Sequence, residues 1–94
     1  MTVSYRNFDK NHILDNELQY FMVLESIINN IDNHCYFTIT RAPNSYNFRI
    51  STSMRIVDPI IKEINSFNTN SGIKAEFSKS MKSGNIFWKI QLNA

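Results

Sequence analysis

The sequence predicts an α+β domain of order αββαββ: a four-stranded antiparallel sheet with two helices packed on one face and the other face exposed. Three observations predict it. Residues 17–51 and 58–92 each run as an apolar-striped helix followed by a β-hairpin, so the same unit is written twice. In both hairpins the apolar side chains fall at alternate positions, the period of a strand with one buried face. A helix and one two-stranded hairpin bury too little to stand alone, so the halves are expected to share one core.

Ninety-four residues make one domain, 1–94, divided into an irregular N-terminal arm (1–14) and two helix-hairpin units (15–52 and 53–94). The arm has no clean period, with Tyr5, Phe8, Ile13 and Leu14 as apolar anchors. Asp15 can cap a helix from Asn16, along which Tyr20, Leu24, Ile27, Ile28 and Ile31 recur at helical spacing. Glu17, Glu25, Asn29 and Asn30 take the wet side. An end near 30–33 is expected, where asparagine tolerates a left-handed conformation. Cys35–Arg41 alternates, with Phe37 and Ile39 on one face and Tyr36, Thr38 and Thr40 on the other. Residues 42–45 are turn chemistry. Tyr46, Phe48 and Ile50 then alternate with Asn47, Arg49 and Ser51.

Asp58-Pro59 reads as an N-cap followed by proline at the first helical position. Ile60, Ile61, Ile64 and Phe67 form the buried stripe, and residues 68–72 end the helix. Ile73, Ala75 and Phe77 alternate with Lys74, Glu76 and Ser78. After a loop over 80–84, Ile86, Trp88, Ile90 and Leu92 alternate with Phe87, Lys89 and Gln91, the clearest period-two signal in the chain.

With the helices over one face, the other face carries Thr38, Thr40, Asn47, Arg49, Lys74, Phe87, Lys89 and Gln91, with Arg41, Lys79 and Lys82 flanking it. Lysine and arginine suit phosphate, hydroxyls and amides supply neutral hydrogen bonds, and an exposed ring stacks on bases. Such a surface fits binding better than catalysis. No facing pair of acids and no glycine-rich phosphate loop is present, the chain having only Gly72 and Gly84. His12, His34 and Cys35 do not make a metal set: neighbours on a strand face opposite ways, and no third ligand has suitable spacing. No catalytic residue, metal or cofactor is expected.

The net charge of +2 is too small to indicate a nucleic-acid partner by itself. A single cysteine precludes an internal disulfide. No apolar run approaches the ~20 residues of a membrane span, and the N-terminus lacks a secretion signal. We therefore expect a cytoplasmic protein, in the host cytoplasm if viral. Abundant Asn, Ile, Lys, Phe and Tyr suggest an AT-rich genome, as many phages have.

Two family resemblances point the same way. The element order, with Ile31-Asp32-Asn33-His34-Cys35-Tyr36-Phe37 at the first helix exit, is similar to half of a LAGLIDADG homing endonuclease, which typically has Ile-Asp-x-Asp-Gly-x-Phe there. Ile31, Asp32 and Phe37 match, while the metal-binding acid falls on His34 and the glycine on Cys35. The resemblance implies a saddle-shaped sheet lying on DNA. It does not carry over cleavage, because an imidazole cannot replace the carboxylate that holds a hard divalent ion. The second half resembles the C-terminal double-wing domain of the T-even phage middle-promoter transcription factor. The matches are Met54-Arg55-Ile56, Gly72-Ile73 and Gly84-Asn85-Ile86. It implies a concave sheet surface used against DNA.

The expectation is a small non-enzymatic nucleic-acid-binding regulatory protein, phage-encoded, acting on DNA or RNA through the basic, polar sheet face. The alternative is a protein-binding inhibitor, antitoxin or adaptor acting on a host enzyme, anchored by Phe87, Tyr36 and the N-terminal aromatics.

Overall fold

Both helices and the first hairpin form, and the sheet gains a strand. The computed structural model describes residues 1–80 and 83–92. In chain order these are β1 (Thr2–Arg6), a 3-10 turn (Lys10–His12), α1 (Asp15–Ile31), β2 (Tyr36–Ala42) and β3 (Ser45–Ser51). A second 3-10 turn (Met54–Ile56), α2 (Val57–Asn70), β4 (Ser78–Lys79) and β5 (Asn85–Gln91) follow. The result is an α+β fold with one five-stranded sheet, order β1-β2-β3-β5-β4.

The sheet is mixed, which corrects the expected four antiparallel strands. The segment expected to be an irregular arm contains β1, which pairs in parallel with β2 from Thr2↔Tyr36 to Arg6↔Thr40. A parallel neighbour needs a crossover rather than a tight turn. The 17 residues of α1 supply it, carrying the chain back over about 25 Å at 1.5 Å per residue. Asn7, in the left-handed region at φ 66°, turns the chain out of β1. Phe8 then packs against Tyr5, Phe21 and Tyr46, with ring centroids 5.4–5.9 Å apart.

The second correction concerns residues 73–77, expected to pair as a strand. Only Ser78 and Lys79 pair with β5, at Ser78↔Phe87 and Lys79↔Ile86. The preceding residues still alternate between half-buried and exposed, but the end of α2 holds their start. Gly72 adopts φ 70°, its N–H reaches Thr69 O at 3.2 Å, and the Ile73 N–H reaches Asn68 O at 2.8 Å. This is the Schellman closure of a helix C-terminus, and it keeps the backbone of Ile73 bonded to α2.

The helices begin earlier than expected, by one residue in α1 and two in α2. Asp15 is the first residue of α1 and Asp58 the second of α2, and neither N-cap, Leu14 or Ile56, makes a side-chain cap. Both carboxylates still lie in a first turn, where the helix dipole favours them. At the exit of α1 no asparagine turns left-handed: Asp32 is extended at φ −148°.

Phe21, Leu24 and Ile28 of α1 and Val57, Ile60 and Ile64 of α2 are buried against Phe37, Ile39, Tyr46, Phe48, Ile50, Ile86 and Trp88 of the sheet. Phe48 and Trp88 are register partners and stack at 4.9 Å with planes 12° apart. The buried stripe of α2 runs on to Asn68, only 1% exposed. Its Oδ1 accepts a 2.6 Å hydrogen bond from the Tyr20 hydroxyl. Burial pushes Tyr20 up to about 12.

Glu17 and Glu25, expected on the wet side of α1, are half-buried. They accept hydrogen bonds of 2.9 Å from the hydroxyls of Tyr46 and Tyr5, tying α1 to β3 and β1. At Gly84 the backbone approaches so closely that an added Cβ would lie 1.7 Å from Thr52 O. The Thr52 N–H bonds Gly84 O at 2.7 Å there. Among the described residues no helix is long and apolar enough to cross a membrane.

Candidate nucleic-acid interface

The helices cover the inward side chains of the sheet, so the outward ones form an open face. Strand register sets its rows. One row runs Arg6, Thr40, Asn47, Lys89; the next Ser4, Thr38, Arg49, Phe87, Ser78; the third Thr2, Tyr36, Ser51, Asn85. Gln91 extends β5 beside Ser45. Lys74 and Glu76 reach the same face from the unpaired stretch before β4, where they border a depression with Lys89 and Gln91.

Most of the expected site residues are therefore gathered: Thr38, Thr40, Asn47, Arg49, Lys74, Phe87, Lys89 and Gln91. Two are not. Arg41 lies on the helix side of β2, its guanidinium 5.0 Å from the centre of the Tyr46 ring and 3.4 Å from Ser45 O. Lys79 pairs opposite the buried Ile86, and its Nζ contacts the Asp58 carboxylate at 2.6 Å. That ion pair takes it off the face. Lys82 lies outside the described residues.

The face also holds three residues of β1 that an irregular arm would not place there: Thr2, Ser4 and above all Arg6. Their signal was present, since Thr2, Ser4 and Arg6 alternate with Val3 and Tyr5.

The charge of the chain concentrates here. Among the described residues, Arg6, Arg49, Lys74 and Lys89 share the face with Glu76 alone, which makes it +3, and the other five cations and seven carboxylates sum to −2. Among the described residues none of these four cations makes an ion pair. Arg49 lies 5.9 Å from the centre of the Phe87 ring, at the limit of a cation–π contact. Phe87 is 41% exposed and Tyr36 63% exposed. Such a face can neutralise phosphates, stack on planar groups and donate neutral hydrogen bonds.

Among the described residues no three of His, Cys, Asp and Glu gather closely enough to hold a metal ion. His34 is exposed while Cys35 is buried, with its thiol pushed up chiefly by burial. Asp32 receives hydrogen bonds from the Thr52 hydroxyl and the His34 N–H, which hold its carboxyl below the usual range. That arrangement joins the exit of α1 to the end of β3. No protein-family model and no curated protein matches the chain.

Proposed function

We propose that this chain is a small, non-enzymatic nucleic-acid-binding regulatory protein that uses the open face of its sheet. One observation carries the reading: among the described residues, four cations without ion-pair partners share a face of net +3 while the others sum to −2. Phosphate neutralisation with counterion release is what such a distribution favours. The test is binding of labelled DNA and RNA at increasing salt. Affinity falls steeply with salt, and the Arg49→Ala/Lys89→Ala pair lowers it without altering the far-ultraviolet spectrum. An affinity flat between low and moderate salt would refute the proposal.

A second reading, a protein-binding inhibitor, antitoxin or adaptor anchored by Phe87, Tyr36 and the N-terminal aromatics, gains two further exposed apolar residues. Leu14 and Met22, at the start and on the outer side of α1, are 66% and 58% exposed. Capture of a stoichiometric protein that Leu14→Ser/Met22→Ser abolishes, and that the arginine–lysine pair leaves intact, would favour it.

A further inference from the structure

We infer that the open face selects single-stranded over double-stranded nucleic acid, holding two unstacked bases on Tyr36 and Phe87. The inference rests on the nucleic-acid reading and adds the state of the strand.

The two rings stand on β2 and β5, with β3 between them, and are offset by one step of the register. Two strand spacings and one two-residue step place them about 12 Å apart. Stacked bases within a duplex rise about 3.4 Å each, so bases resting on both rings must come from a splayed strand. A duplex hides its base faces inside the stack, and a flat protein ring reaches them only by wedging a step open.

Each ring also has the companions that one nucleotide needs. Tyr36 borders a depression of about 230 Å³ with Thr38, Arg49 and Ser51. Phe87 borders another of about 300 Å³ with Asn47, Ser78 and Lys89. Each thus combines a ring, a cation and neutral hydrogen-bonding groups, the equipment for one base and one phosphate. Arg49, on the strand between the rings, lies where the phosphate joining two splayed nucleotides would pass. Glu76 enters the second depression. It repels phosphate there and can accept a hydrogen bond from a base amino group.

The experiment compares fluorescence anisotropy of one mixed sequence as single-stranded DNA, single-stranded RNA and duplex DNA. The probes bind wild type, Phe87→Ala, Phe87→Tyr and Tyr36→Ala. Expected is tighter binding of single strands than of duplex, by tenfold or more. Phe87→Ala and Tyr36→Ala should each weaken single-strand binding about five- to 150-fold, the range for one stacked base, while Phe87→Tyr retains it. Equal or tighter duplex binding, or single-strand affinity indifferent to both alanine variants, overturns the inference and leaves the nucleic-acid reading standing. Salt-sensitive binding to none of the three probes overturns both.

Discussion

The salt dependence of binding counts phosphates, so it can locate the footprint on the molecule. Four cations on the open face, Arg6, Arg49, Lys74 and Lys89, give a log–log slope of about −2.8 on a single strand, or about −3.6 on a duplex. Arg6 lies on that face, in the row with Thr40, Asn47 and Lys89. Arg6→Ala therefore brings the single-strand slope to about −2.1. Between about 50 and 200 mM salt, wild type loses ~50-fold in affinity and the variant ~20-fold. Lys79→Ala and Arg41→Ala are the controls. Lys79 is engaged by Asp58 and Arg41 covers Tyr46 on the opposite face, so neither changes the slope. Anisotropy titrations at five salt concentrations resolve a difference of 0.7 in slope, the contribution of one phosphate. An unchanged slope for Arg6→Ala beside a reduced one for Lys79→Ala would refute the assignment of the footprint to this face.

Three further outcomes concern the fold. Gly84→Ala places a methyl group 1.7 Å from Thr52 O, a backbone atom that cannot swing aside. Urea denaturation should show a loss of about 3 kcal/mol, the upper end for overpacking, and a loss under ~1 kcal/mol would contradict the close approach. Tyr20→Phe removes the donor to Asn68 Oδ1 and leaves a buried amide unpaired, at about 1–3 kcal/mol. Asn68→Ala in the Tyr20→Phe background should then cost much less than in wild type, as a double-mutant cycle would show. Tyr5, Tyr20 and Tyr46 are each raised from 10.0 to about 12, chiefly by burial. The folded state holds these protons more tightly than the unfolded chain, so their contribution to stability is complete below pH 10 and disappears as pH rises towards 12. A phenolate absorbance titration followed together with circular dichroism tests this, and ionisation of all the tyrosines near pH 10 without unfolding would contradict it.

Period-two alternation was legible wherever a strand was long enough to repeat it. Ile86 and Trp88 face in and Phe87 and Lys89 face out, as their spacing requires. Where site residues were misplaced, the same rule pointed correctly but charge outweighed it. Arg41 continues the inward series of Phe37 and Ile39, and Lys79 that of Ala75 and Phe77. Continued by one step, the alternation sends both to the helix side, where Tyr46 and Asp58 receive them. β1 is harder to read for another reason: five residues hold barely two periods, and only the distant β2 makes them a strand. The ladder between 73–77 and β5 failed because a helix closure took the Ile73 N–H, a competition that hydrophobic spacing does not encode.

The pairing of Thr2 with Tyr36 carries a kinetic consequence. β1 has a hydrogen-bonded neighbour on one flank only and sits at the border of the sheet. Its partner emerges from the ribosome after all of α1, so docking of β1 closes a long loop, whereas the neighbouring hairpin zips locally. Its amides should accordingly be among the first to exchange with deuterium. A ligand gripped by Arg6 would fasten that fraying border, and slower exchange of the Thr2 amide, which bonds Cys35 O, would report it from the far end of the strand.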